Sequence, residues 1–273
     1  MAEFHLLTSL LWTKPPPMSP ELHSEQAVAA NPLNGDLLLR PVRGGNTYEE
    51  TVERLLQTIR LGLALPGAQF PPERELAAML EVSRDTVRLA ISALVDAGYL
   101  FVKRGRYGGT FVAENLPSQP LRMGRDGELT HNVEFTHDEL EDALILREIL
   151  ECGAAEFAAV RSLTSVEREQ LWAVLKETSL STAENYRMLD SRLHLLIAEL
   201  TGSPSLLSEV ASSRMRINEL LDGIPLLAPN ISHSNEQHEA IVLAILTGDS
   251  EKARAAMADH VSGSAALLRG FLG

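Results

Sequence analysis

Residues 70–112 read FPPERELAAMLEVSRDTVRLAISALVDAGYLFVKRGRYGGTFV. The stretch divides into two short amphipathic helices joined by a tight turn, then a β-hairpin with a glycine-rich tip. In the first helix Leu76, Met79 and Leu80 recur at helical spacing. Pro71-Pro72 ahead of them suit a helix start, and Ala77 is small enough to let two helices cross closely. Val82 plugs the turn, and Ser83 is a good N-cap for the second helix. There Val87, Ile91, Leu94 and Val95 form the buried stripe, while Ser83, Arg84, Asp85 and Arg88 project from the opposite face. Gly98 ends the helix, and apolar runs on either side of Arg104-Gly105-Arg106-Tyr107-Gly108-Gly109 give the hairpin signal. The whole describes a winged helix-turn-helix, whose second helix enters the DNA major groove while the wing reaches the neighbouring backbone or minor groove. The plainer alternative is a three-helix scaffold with scattered surface arginines. Against it, Arg74, Arg84, Arg88, Lys103, Arg104 and Arg106 all fall where one surface can present them.

This stretch resembles the DNA-binding domain of GntR-type bacterial regulators. Their pattern is roughly PG-x-x-LPxERELA-x-x-LGVSRxTVRxAL-x-x-L-x-x-xGYL followed by a G-x-GG-x-FV wing. Here it stands as Pro66-Gly67, then PPERELAAMLEVSRDTVRLAISALVDAGYL, then RGRYGGTFV. Phe70 replaces the usual Leu. Glu81 replaces the usual turn glycine, which puts an acidic group near DNA and asks a non-glycine residue to make the turn. The resemblance implies a homodimer on a pseudo-palindromic double-stranded operator, because two-fold protein symmetry matches two half-sites. Arg84 and Arg88 become the expected base-edge contacts, to guanine. Arg74, Ser83, Asp85 and Thr86 are expected at phosphates or adjacent bases, and Arg104 with Gly105 at the wing.

Working outward, the 273 residues suffice for two domains, and 45% hydrophobic content with only 5% aromatics favours Leu/Ala-rich helices over a β-sandwich. The net charge of −13 at first argues against nucleic acid, but its distribution does not. Residues 47–113 hold eight Lys/Arg and eight Asp/Glu, whereas residues 114–273 hold thirteen against twenty-five. The acidity belongs to the C-terminal part, so a local basic face can still meet phosphates with modest, salt-sensitive affinity per half-site. Cys152 is the sole cysteine, which excludes a disulfide framework and suits a reducing compartment. Leu6 to Trp12 is too short an apolar patch to span a bilayer and lacks the basic start and cleavage site of a signal peptide. The expectation is a cytoplasmic protein with no membrane partner.

The domains expected are a disordered tail at 1–46, the winged helix-turn-helix at 47–113, a linker at 114–135 and an all-α bundle at 136–273. The tail mixes Pro, Ser and Gly with little periodicity, although Leu37–Pro41 could lie against the next domain. The first helix runs from about Thr47 to Leu63 with Val52, Leu55, Leu56, Ile59 and Leu63 as its stripe. The linker is polar with scattered Gly and Pro. In the bundle, Thr136-x-x-Glu139, Thr164-x-x-Glu167, Ser181-x-x-Glu184 and Ser234-x-x-Gln237 read as capping boxes. Ser203-Pro204 opens another helix, Ile224 to Ser232 reads as a loop, and Asp249 or Ser250 caps the last helix. The fold class is therefore mainly α with one small hairpin.

Three histidines and an aspartate sit where bundle helices should be apolar. Asp190 and His194, four apart, share a face beside Leu193 and Ile197. His238 lies just before Ala240-Ile241, and His260 follows Met257 by three. One carboxylate and three imidazoles suit a divalent transition metal such as Zn, Ni or Mn. Asp190 and His194 could equally be a simple ion pair, and lone core histidines are often structural. His233, five residues before His238, could contest a place in the site.

LREILECGAAEFAAV, LDSRLHLLIAELTGSPSL and EQHEAIVLAILTGDSEKARAAMADHV resemble the ligand-binding FCD domain of the FadR subfamily. Its metal-binding members carry R-x-x-x-E, D-x-x-x-H before TGNP, H-x-x-I-x-x-AI-x-x-GD and A-x-x-x-M-x-x-H. Asp190, His194, His238 and His260 fill the implied ligand positions, with Ser203 standing for the usual Asn. The resemblance further implies a small carboxylate effector, with Arg147 of the R-x-x-x-E segment to neutralise it. Read on its spacing alone, Arg147 could merely pair with Glu151, and Arg214 and Arg216 read as a solvated face. The expectation is a ligand-responsive repressor rather than an enzyme. One alternative is a metal-dependent hydrolase-like enzyme with an appended DNA-binding domain, since a metal with open positions can activate water. Another is a bundle that only dimerises.

Overall fold

The computed structural model describes residues 39, 47–105, 108–117, 122–123, 129–130 and 135–272. Expectations about residues 1–46 other than Leu39, and about Arg106, lie outside these. The N-terminal head comprises α1 (Thr47–Arg60), α2 (Glu73–Leu80), α3 (Arg84–Asp96), β1 (Leu100–Lys103) and β2 (Gly109–Val112). Val52, Leu55, Leu56 and Ile59 on one face of α1 pack with Leu76 and Leu80 of α2 and with Val87, Ala90, Ile91 and Leu94 of α3. Tyr99, Leu100 and Val112 close this core, and Phe70 and Leu39 enter it. Each such fully buried aliphatic side chain contributes roughly 1.5–3 kcal/mol.

The turn between α2 and α3 is made by Glu81 itself, in the left-handed region at φ 53°, ψ 39°. That conformation costs a residue bearing a Cβ about 1–2 kcal/mol, the cost a glycine there avoids. In the wing, β1 and β2 pair antiparallel from Leu100↔Val112 to Lys103↔Gly109. A bridge between Gln69 and Phe111 ties the strand pair back to the segment ahead of α2. The region expected to be a plain linker contains a second strand pair, β3 (Arg122–Met123) with β4 (Leu129–Thr130). Strands of two residues are too short to leave an alternating pattern in the sequence.

α1 stops three residues short of its expected end. Gly62 turns the chain at φ 71°. Leu61 and Leu63 then leave the head and enter the core of the bundle with Leu193 and Ile197. Beside them Arg60 donates to Asp222 Oδ2 at 2.6 Å.

The bundle comprises α4 (His137–Val160), α5 (Ser165–Ser179), α6 (Ala183–Leu200), α7 (Pro204–Asp222), α8 (Ala228–Thr247) and α9 (Ser250–Leu272). Capping boxes open α4 at Thr136/Glu139 and α5 at Thr164/Glu167, as expected. The one expected at Ser181/Glu184 does not form: α6 begins after Thr182, and the Ser181 hydroxyl instead donates to the Thr178 carbonyl at 2.7 Å. α8 begins six residues before the expected Ser234, so the loop ends at Leu227. Pro229 sits in its first turn, where a proline costs a helix no hydrogen bond. α6 is buried along most of its length, Tyr186 and Leu189–Leu200 lying inside apart from a half-buried Glu199. It therefore carries polar groups into the middle of the bundle.

Candidate functional site

The head presents a polar face. Arg74, Arg84, Asp85, Arg88 and Arg104 are exposed, and Arg84 is the first residue of α3, where backbone N–H groups favour phosphate. Ser83 Oγ accepts the Thr86 N–H at 3.0 Å and lies 2.8 Å from Thr86 Oγ1, so both hydroxyls help hold the helix start. Arg88 donates to Asp85 Oδ1 at 2.9 Å and to Glu73 Oε2 at 3.2 Å, so its guanidinium is held between two carboxylates. Gly105 turns the wing tip at φ 110°, and a Cβ on Gly108 would run into the Lys103 carbonyl.

The second constellation lies inside the bundle. Asp190 and His194 project from α6, His238 from the third turn of α8 and His260 from α9, all buried. Their ligand atoms all fall within 4.8 Å of one another. Atoms on opposite sides of one ion lie roughly 4–4.5 Å apart when each bond is about 2.0–2.2 Å, so a shift of a few tenths of an ångström brings all four onto a single ion. His238 Nε2 is 3.1 Å and His194 Nε2 3.8 Å from Asp190 Oδ1. Outer partners orient two of the rings: His194 Nδ1 is 2.8 Å from Glu151 Oε2, and His260 Nδ1 is 3.2 Å from Gln237 Oε1. Such outer contacts fix which nitrogen is left to ligate. Among the described residues, Nε2 of His194, His238 and His260 and Nδ1 of His194 and His238 are buried and make no hydrogen bond. An unsatisfied buried group costs about 1–3 kcal/mol, and a metal removes that cost. The donor set therefore fits a divalent ion. His233 is exposed and stands apart from the cluster.

Two residues matter here more than sequence reasoning allowed. Arg214, expected on a solvated face, is wholly buried and pairs with Asp190 while lying 3.5 Å from Glu151 Oε1. Glu151 binds more than its helical neighbour. Arg147 Nε donates to its Oε2 at 3.2 Å, but the same oxygen meets His194. Burial alone would raise the Glu151 and Asp190 carboxyls, yet the adjacent arginines and histidines hold both well below the usual range. Glu151 is thereby tied up and is no free general base. Arg147 also donates to Ser264 Oγ at 2.6 Å and lines a cavity of about 70 Å³ beside the cluster. That cavity reaches Asp190 and His260 and includes Tyr186, Arg187 and Ser234.

Burial pushes the His194 imidazole down and His260 well below its ordinary value, so both stay neutral when folded. Their contribution to stability is complete above about pH 6.5, where unfolded histidine is also neutral. It falls as the pH drops through that value, because the unfolded chain takes up protons that the folded one refuses. Asp190 and Glu151 add a second loss once unfolded carboxyls protonate near about pH 4. Thermal melts of metal-free protein from neutral to acid pH should therefore show Tm falling already below about pH 6.5. A Tm constant down to about pH 5 goes against neutral buried histidines.

With this geometry in view, comparison with known proteins gives a consistent result. Residues 47–112 match the family of bacterial regulatory proteins called the gntR family, and residues 142–263 match the FCD domain. A regulatory protein assigned to the L-lactate dehydrogenase operon of Escherichia coli strain K12 is 32% identical over 214 residues, 72% of this chain and 76% of its own length. The transcriptional regulator LutR of Bacillus subtilis is 28% identical over 223 residues, 78% of this chain and 97% of its own. The transcriptional repressor NanR of Cronobacter sakazakii is 28% identical over 253 residues, 88% and 92%. Among solved structures, Escherichia coli McbR/YncC superposes with a TM-score of 0.50 at 18% identity, covering 83% of this chain and 99% of that one, a likeness of fold.

Proposed function

Because this chain belongs to the gntR family of bacterial regulatory proteins and carries an FCD domain, it is a DNA-binding transcription regulator and not an enzyme, and we propose that it is a ligand-responsive repressor. In this reading a cytoplasmic homodimer binds a pseudo-palindromic operator and senses a small organic acid at a metal held in its bundle. The head spans 47–113, and the segment 114–135 connects it to an effector and dimerisation domain at 136–273. The observation that carries the sensing role is the buried cluster of Asp190, His194, His238 and His260, with ring nitrogens on all three histidines that make no hydrogen bond among the described residues. Those four would hold Zn, Ni or Mn, which when bound supplies a Lewis-acidic site for a carboxylate oxygen. Arg147, at the wall of the adjoining cavity, pairs with the effector's negative charge. That one relative is assigned to an L-lactate dehydrogenase operon agrees with an organic acid as the broad kind of molecule sensed.

Dimerisation is supported by the outer face of α4. Ile145, Ile149, Phe157 and Val160 are between 56% and 68% exposed along one stripe of that helix, far more apolar surface than a solvated helix face carries. A second copy covers it in the proposed dimer. At the DNA, Arg84 and Arg88 read base edges, Arg74, Ser83, Asp85 and Thr86 set the approach to the backbone, and Arg104 with Gly105 serves the wing.

Gel-shift titration against operator fragments selected from random DNA tests the assignment of α3. Arg84→Ala should weaken specific binding by about 1–3 kcal/mol, roughly five- to 150-fold, with the fold intact. Undiminished affinity would remove α3 from the role of reading helix.

A further inference from the structure

The charges enclosed around the metal position do not balance once a metal is there. Asp190, Glu151, Arg147 and Arg214 are all buried, two negative and two positive, so the enclosed set sums to zero. Histidines that ligate a metal do so through an unprotonated nitrogen and add no charge. A divalent ion therefore brings two uncompensated positive charges into a region where charge is costly unless paired.

A second imbalance involves Arg187, which lines the same cavity. Asp222 accepts from Arg60 at 2.6 Å and lies 3.5 Å from Arg187 Nε, so one carboxylate is shared by two guanidiniums. Arg187 lines the cavity alongside Arg147 and also holds the Ile224 carbonyl at 3.0 Å. The cavity is thus lined by Asp190 and His260 of the cluster, by Arg147, and by Arg187 of α6, whose carboxylate partner is shared with Arg60.

Resting on the metal reading above, we infer that the ligand of this site is a dianion, a small dicarboxylate, and that it binds as a coupled pair with the metal. One carboxylate meets the metal and Arg147, and the other meets Arg187. A simple monocarboxylate leaves half the excess charge unmatched. Coupling is reciprocal, so the ligand must tighten the metal by the same factor as the metal tightens the ligand.

The test uses the full chain stripped with a chelator and titrated with Mn²⁺, the free ion being read by its EPR signal. Titrations run without added anion, with millimolar succinate and with millimolar acetate. Succinate should tighten Mn²⁺ about tenfold or more and acetate less than about threefold. Arg187→Gln should bind Mn²⁺ alone as the parent does, which shows the fold intact, yet respond to succinate only as to acetate. Equal effects of the two anions, no effect of either, or a full succinate preference in Arg187→Gln each overturn the inference while leaving the metal site standing. Failure of Mn²⁺ to bind under any of these conditions overturns the metal reading and this inference with it.

Discussion

Arg214→Met is expected to lower the unfolding free energy of the metal-free protein by about 3–5 kcal/mol, the usual cost of stranding a buried charge. Arg214 is wholly enclosed and faces both Asp190 and Glu151. Methionine fills much of its volume but supplies no charge and no donors, so two buried carboxylates remain against Arg147 alone. The response to metal separates this cause from simple loss of packing. A divalent ion at the cluster returns positive charge to Asp190, so saturating metal should recover a larger share of stability in Arg214→Met than it adds to the parent protein. Urea unfolding with and without metal measures both quantities. A loss below about 1 kcal/mol would place Arg214 among ordinary surface-like ion pairs, contrary to its burial.

His194→Ala should abolish the metal. Elemental analysis of the parent protein purified without chelator is expected to give about one ion per chain, and the variant essentially none, as loss of one of four protein ligands removes a quarter of the donor set and opens it to water. His233→Ala serves as the control, since that side chain is exposed and outside the cluster. Metal retained at full occupancy in His194→Ala would show that another site holds it. Metal absent from both proteins would leave the DNA-binding head as it is and return the three histidines to a structural role.

Much of this was readable from residues alone, and the parts that were not have physical causes. The head announces itself because turn chemistry, a cap and two helical periods coincide within 43 residues of sequence, Phe70 to Val112. That Asp190, His194, His238 and His260 come together was equally legible, since four titratable groups at helical spacing among leucines stand out. Arg214 was misjudged because a charged residue is ordinarily taken to mark the outside of a helix, and Glu151 was read only as the partner of Arg147. Spacing held the correction. Arg214 falls in step with Leu207, Val210, Ala211 and Ile217, and Glu151 in step with Leu144, Arg147, Ala154 and Ala158, which are the buried stripes of α7 and α4. The early start of α8 was hidden by Pro229, which marks a break inside a helix but a favourable residue in its first turn. The pairing of Arg187 could not be picked out, because Asp222 and the Ile224 carbonyl are brought to it from the end of α7 and the turn that follows.

The passage of Leu61 and Leu63 out of the head and into the bundle has a consequence for how such proteins can be recombined. A head cut away after its wing would carry two leucines into water. A bundle left behind would carry the empty sockets, each missing leucine costing about 2–5 kcal/mol in the manner of a large-to-small replacement. Grafting this effector module onto another regulator's reading head therefore requires carrying the corner from Arg60 to Leu63 with the bundle, although in sequence that corner lies more than seventy residues upstream of it. The seam along which evolution or an engineer can exchange specificities runs through the end of α1, not through the connecting segment between the two halves.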